Sequence, residues 1–274
     1  MTGRPRVIAH RGASADVPEH TLAAYRKAID DGADGLECDV RLTRDGVLVC
    51  VHDRRVDRTS TGRGPVSTLE LADLAELDFG VWREPGAGPP DPGGPWEAPD
   101  RDSTGVVTLE RLLQVVEAAP RPLELAIETK HPTRYAGLVE STLVELLNRY
   151  GMVGGRHRVR MMSFAVIGLR RVRALAPEIP TVYLTKRVPL RLRDGKLPTC
   201  ADIAGPSLAA LEAVPDWVAR LHDRGHEVHV WTVDDPGDIT WLCDLGVDAV
   251  ITNRPAAALA QLRATARGDG QIAQ

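Results

Sequence analysis

The chain has 274 residues, 43% of them hydrophobic, which is enough for a large core in one domain or two. A formal net charge of −4 argues against a chain-wide basic surface for nucleic acid, and no run approaches the roughly 20 apolar residues of a membrane span. Cys38, Cys50, Cys200 and Cys243 form no C-x-x-C pair, and the N-terminus lacks an apolar stretch of signal length, so reduced thiols and a cytoplasmic location are expected.

"RVIAHRG" (6–12) reads as a first strand. "TLAAYRKAIDDG" (21–32) reads as a helix, with a hydroxyl at its start and Gly32 as its stop. "GLECDV" (35–40) is the second strand, and "VLVCVHD" (47–53) follows it through the turn signal Asp45-Gly46. A tight turn joins only antiparallel strands, so 47–52 is expected as a hairpin arm outside any parallel series. Residues 54–107 then interrupt the alternation and read as an insertion over one mouth of the fold. Within it, "PGAGPPDPGGP" (85–95), flanked by Trp82 and Trp96, reads as an exposed loop.

Further strands are "LELAIETK" (123–130), "VRMMSF" (159–164), "TVYLT" (181–185), "ADIAGP" (201–206), "EVHVWTV" (227–233) and "DAVITN" (248–253). Helical patterns lie at 134–150, 164–176, 215–224, 235–245 and 255–266. Eight strand–helix units plus one arm predict an α/β fold, a (β/α)₈ TIM barrel over residues 1–266 with 267–274 as a tail. An open doubly wound sheet is the alternative, but it would announce a Gly-rich phosphate turn after its first strand, and none occurs.

Residues two apart on a strand share a face, so Glu37 and Asp39 point one way and Leu36, Cys38 and Val40 the other. Glu128 stands near the end of the next parallel strand, where it would converge with them. Three converging carboxylates repel unless something cationic lies between them, and oxygen-only donors suit a hard divalent cation, Mg²⁺ or Ca²⁺. Ion pairing with Arg11, Arg41 or Lys130 is the other reading of the same cluster. His10 and His52 end a strand and the arm at the same mouth, where one could act as acid and the other as base. Arg11 and Lys130 offer donors for an anionic ester.

The ordered set "HRG-ASADVPEHT", "GADGLECDVRLTRDGVLVCVHD", "IETK", "SF", "VWTVDD" and "ITNRP" resembles the glycerophosphodiester phosphodiesterase family along nearly the whole chain. The resemblance implies a (β/α)₈ barrel with a small insertion after the second strand. It implies metal-dependent hydrolysis of a glycerophosphodiester to sn-glycerol 3-phosphate and an alcohol. His10 and His52 would be the acid–base pair, and Glu37, Asp39 and Glu128 would hold one divalent cation. Arg11 and Lys130 would bind phosphoryl oxygens, and Trp231 would wall one side. Two positions depart from the family pattern: His20 replaces the Asn of Pro-Glu-Asn-Thr, and Asn253 replaces an aspartate. His20 is expected only to hold its loop, and a supporting role at position 253 is put in doubt.

Other readings stay open. A related phosphodiesterase could act on lysophospholipids or through a cyclic phosphate, as a phospholipase does. A metal-dependent sugar isomerase would share the carboxylates, but not the use of His10-Arg11 with an arm-borne His52; a barrel-based binding protein with a dead site is disfavoured because every position of the catalytic set is filled. "HEVH" (226–229) is one residue short of a zinc signature. Glu124 is expected to pack rather than react, Glu19 to order its loop, and Ser163 and Thr252 either to cap or to line the mouth.

Overall fold

The computed structural model describes residues 4–80 and 100–272, with side chains to 266. The loop expected at 85–95, with Trp82 and Trp96, lies outside the described residues.

Among the described residues nine strands are interspersed with helices. They are β1 (Arg6–His10), β2 (Gly35–Leu42), β3 (Leu48–Cys50), β4 (Glu124–Thr129), β5 (Arg158–Ser163), β6 (Thr181–Thr185), β7 (Ile203–Pro206), β8 (Glu227–Trp231) and β9 (Ala249–Thr252). The sheet order is β1-β9-β8-β7-β6-β5-β4-β2-β3, and β1 also pairs with β2. Eight parallel strands therefore close into a barrel. β3 hangs antiparallel on β2 with Val40 opposite Cys50, the hairpin arm that the turn signal predicts.

Helices α1 (Leu22–Asp30), α2 (Leu71–Ala75), α3 (Arg101–Thr104), α4 (Leu109–Glu117), α5 (Leu138–Arg149), α6 (Val166–Leu175), α7 (Leu208–Glu212), α8 (Trp217–His222), α9 (Pro236–Asp244) and α10 (Pro255–Ile272) are present among the described residues. Three differences from expectation stand out. The helix expected at 215–224 is α8, and a second short helix that was not expected, α7, precedes it across the turn that contains Pro215. α4, with Leu109, Leu112, Leu113 and Val116 buried on one side, was hidden beside the irregular insertion. α10 runs through residues 267–272, most of the segment read as a tail.

Two apolar layers are built on the period of two. Leu36, Cys38 and Val40 of β2 and Leu125 and Ile127 of β4 face the helices in the larger core. Ile8, Ala126, Met162, Val182, Ala249 and Ile251 fill the barrel axis. Gly35 is required where β2 meets β4, because a Cβ there would lie 2.4 Å from the Glu124 carbonyl oxygen. The described part of the insertion packs Val56, Val66, Leu74 and Phe79 against Val49 and Val51 of the arm. No helix among the described residues is long and apolar enough to cross a membrane.

Candidate active site

The carboxylates come together because register puts them there. Asp39 lies directly opposite Glu128 across the β2–β4 pair, and His10 opposite Glu37 across β1–β2. All three acids are buried, and one oxygen from each lies within 4.8 Å of the others. Glu128 is pushed up to about 7, first by burial and then by Asp39. Burial, with Asp39 and then Glu128 adding to it, raises Glu37 well above the carboxylate range as well. Asp39 goes the other way. Burial would raise it, but the His20 hydrogen bond and the charges of Lys130 and Arg11 hold it well below.

Two cations reach into this cluster. Lys130 Nζ lies 2.8 Å from both Asp39 Oδ1 and Glu128 Oε2. Arg11 Nε is 3.0 Å from Asp39 Oδ2, and Arg11 Nη1 donates to Glu19 Oε1 at 2.9 Å. Arg11 sits at φ 58 and Gly12 at φ 81, a tight turn that also aims the Arg11 backbone N–H at Glu37 Oε2, 3.0 Å away. Gly12 suits this turn, since a Cβ there would meet the Ala24 backbone at 2.6 Å. Two cations serve three acids, the crowding drives Glu37 and Glu128 toward their protonated forms, and Asp39 Oδ1 is buried with no hydrogen bond despite its nearby ammonium. That donor set fits a hard divalent cation: it is all oxygen, convergent and incompletely neutralised.

The two histidines face the same pocket from opposite elements. His10 Nδ1 donates to Asn253 Oδ1 at 2.7 Å, and its Nε2 lies 4.0 Å from Glu37 Oε2. The amide orientation is fixed from behind, because Asn253 Nδ2 donates to Asp234 Oδ2 at 2.6 Å. With Nδ1 carrying the proton, Nε2 of His10 is left as a free acceptor. His52 Nδ1 meets Asp53 Oδ1 at 2.6 Å, and Arg58 Nε holds the other Asp53 oxygen at 2.6 Å. Burial, with Arg11 adding, pushes His10 down to about 4. His52 is also lowered, by burial and by the charges of Lys130 and Arg11.

A pocket of about 120 Å³ is lined by both histidines, Arg11, Glu37, Glu128 and Lys130 at its polar end. Trp231 and Phe164 form its apolar end, their rings 5.4 Å apart and edge-on at 88°. Trp231 Nε1 donates to the Gly205 carbonyl at 2.8 Å, which fixes the indole.

All eight residues singled out from the sequence gather here: seven line the pocket, and Asp39 lies beneath it against Lys130. His20 does more than hold a loop: it is buried, its Nε2 donates to Asp39 Oδ2 at 3.0 Å, and its Nδ1 accepts from the Tyr25 hydroxyl at 2.7 Å. Asn253 backs His10 directly, a role that local spacing could not reveal. The one available signal for either was its occurrence inside a motif, "PEHT" or "ITNRP". Ser163 donates to the Thr129 carbonyl and Thr252 to Asp234, so both hydroxyls are spent on the fold and neither lines the pocket. Glu124 and His229 lie at the opposite mouth. Arg41 does not pair with the acids; it donates to the His52 carbonyl at 3.0 and 2.8 Å.

Known proteins resemble this chain along nearly its whole length. The profile of the glycerophosphoryl diester phosphodiesterase family matches residues 10–257. A protein of Mycobacterium tuberculosis named "Probable glycerophosphodiester phosphodiesterase 1" is 45% identical over 261 residues, 93% of this chain and 91% of that protein. The glycerophosphodiester phosphodiesterase of Bacillus subtilis is 35% identical over 256 residues, 90% of this chain and 83% of its own. Among solved structures, a phosphodiesterase of Oleispira antarctica in complex with the product sn-glycerol-3-phosphate superposes with a TM-score of 0.79. It is 26% identical and covers 95% of this chain and 97% of its own.

Proposed function

The chain belongs to the glycerophosphoryl diester phosphodiesterase family, and from that membership and the pocket's geometry we propose that it releases sn-glycerol 3-phosphate by metal-assisted His/His acid–base hydrolysis. The observation that carries the acid–base reading is the matched pinning of the two imidazoles. Each has Nδ1 tied to an oxygen, leaving Nε2 for the pocket that Glu37 and Glu128 also line.

Glu37, Asp39 and Glu128 would hold a divalent cation, Mg²⁺ or Ca²⁺, which supplies positive charge against the phosphoryl oxygens. Arg11 Nη2 makes no hydrogen bond among the described residues and is available for a non-bridging oxygen, as is the third hydrogen of Lys130. His10, backed by a neutral amide oxygen, is suited to take a proton from water or from the substrate's 2-hydroxyl. His52, held at Nδ1 by the Asp53 carboxylate, is placed to pass a proton to the departing alkoxide. Trp231 and Phe164 would wall the glycerol end and keep bulk water from it. The sugar-isomerase alternative has no support in the comparisons.

The test is release of sn-glycerol 3-phosphate from glycerophosphocholine. His10→Ala and His52→Ala are each expected to lose about 10²–10⁴ in kcat. A chelator is expected to abolish turnover and added Mg²⁺ or Ca²⁺ to restore it. Full turnover by either histidine variant would refute the acid–base assignment.

A further inference from the structure

Beside the reaction pocket lies a larger cavity of about 390 Å³, between the loop after β4 and the start of the insertion. Lys130 borders both spaces, so a chain leaving the phosphorus on that side would enter it. Arg41, Arg54 and Arg134 line it, and no carboxylate does.

The neighbouring reaction pocket differs, since Glu37 and Glu128 line it beside its cations. Arg6, Arg11, Arg58 and Arg160 each meet at least one carboxylate. Among the described residues, Arg41, Arg54 and Arg134 meet none. Arg41 stands one rung beyond Asp39 on the same face of β2 and donates to the His52 carbonyl. Arg134 lies over the Tyr135 ring, 5.7 Å from its centroid. Arg54 is exposed and makes no side-chain hydrogen bond among the described residues. Three guanidiniums facing one space repel one another, the mirror image of the three carboxylates next door. Tyr135 ties the two sides together, its hydroxyl donating to the Ser67 carbonyl at 3.0 Å, and Val66 and Pro132 supply apolar wall for carbon atoms.

We propose that this cavity is the subsite for the departing arm of the phosphodiester, and that it selects arms bearing a second anionic group, a phosphate or a carboxylate. The inference rests on the phosphodiesterase reading of the neighbouring pocket. In that reaction the water oxygen bonds to phosphorus, the phosphorus–oxygen bond to the alcohol breaks, and the alkoxide takes a proton. The second anionic group is unchanged throughout, so the arginines act through binding alone.

The test compares kcat/KM for three substrates: bis(glycerophospho)glycerol, whose departing arm carries a phosphate; glycerophosphoserine, whose arm carries a carboxylate; and glycerophosphoglycerol, whose arm is neutral. Each is run on the unmodified protein, on Arg54→Gln and on Arg134→Gln. Both side chains are exposed and without ion pairs, and taking ratios cancels any loss common to the substrates. The phosphate-bearing substrate is expected to exceed the neutral one by about tenfold or more, a charge-assisted contact's worth, and each variant to cut that ratio about tenfold. A raised ratio for glycerophosphoserine supports a general anion subsite, and a raised ratio for the phosphate arm alone supports a phosphate subsite. A ratio near one, or one unmoved by both variants while glycerophosphoglycerol still yields sn-glycerol 3-phosphate, overturns the subsite and leaves the phosphodiesterase reading intact. No sn-glycerol 3-phosphate from any substrate refutes that reading and the subsite with it.

Discussion

At the N-terminal mouth of the barrel, Arg6 and Arg160 close on Glu124 and Glu227; at the C-terminal mouth, Glu37, Asp39 and Glu128 close on one another. The same strands build both ends. β1 reads Arg6, Ile8, His10 up the axis and β4 reads Glu124, Ala126, Glu128, with an apolar layer between two polar ones. At the lower end the charges balance. Arg6 reaches Glu124 at 2.8 Å and Glu227 at 2.5 Å, Arg160 reaches Glu124 at 2.7 Å and Glu227 at 3.2 Å, and His229 lies 3.1 Å from Glu227. At the upper end three acids share two cations; a buried carboxylate oxygen lacks a hydrogen bond at each mouth, Glu124 Oε1 below and Asp39 Oδ1 above, so the difference lies in the count of charges. Buried charge that is matched staples a barrel shut, whereas buried charge that is unmatched waits for a ligand.

One substitution made at both ends probes that contrast most strongly. Glu124→Gln removes the shared partner of Arg6 and Arg160 and is expected to destabilise by about 3–5 kcal/mol in urea unfolding. Glu37→Gln relieves repulsion by Asp39 and Glu128, so in chelator it should cost less than about 1 kcal/mol, or stabilise. Equal losses at the two mouths would break the contrast.

A cation should sharpen the same contrast. Mg²⁺ or Ca²⁺ at a hundredfold excess over its Kd is expected to stabilise the metal-stripped protein by about 2.7 kcal/mol, read as a rise in Tm. The rise should vanish when Glu37→Gln is combined with Glu128→Gln, and persist in Glu124→Gln. A Tm that ignores both ions would mean Lys130 and Arg11 suffice as counter-charges.

The smallest effect concerns orientation. Asn253→Ala leaves His10 without its Nδ1 acceptor and is expected to lower kcat by at most about a hundredfold with KM little changed. Asn253→Asp keeps an acceptor oxygen but sets a second carboxylate against Asp234, so it should rescue only part of the loss. A fall in KM and Tm with kcat preserved would make Asn253 a packing residue instead.

Much of the site was legible because its spacing is local. Glu37 and Asp39 share a face whatever lies around them, and Asp45-Gly46 makes the arm antiparallel by chain length alone. The order of His10-Arg11, Glu37-x-Asp39 and His52-Asp53 carried the family resemblance. Less legible were His20 and Asn253. Each acts across a gap of many residues, His20 on Asp39 and Asn253 on His10, and nothing in "PEHT" or "ITNRP" states which neighbour the fold will bring. α4 was obscured for a related reason: an amphipathic nine-residue stretch beside a long irregular segment gives a weak signal, and burial against the barrel makes it a helix.

From the residues alone came the eight-fold alternation, the inward and outward faces of each strand, and the identity of the chemical groups. Periodicity and turn chemistry operate over a few residues and need no partner. Which acid meets which base was decided only when the barrel closed. Register sets Asp39 against Glu128 and carries Arg6 to Glu124, 118 positions away. Pairing energy belongs to distances between distant segments, so the difference between a stapled mouth and a reactive one exists only in three dimensions.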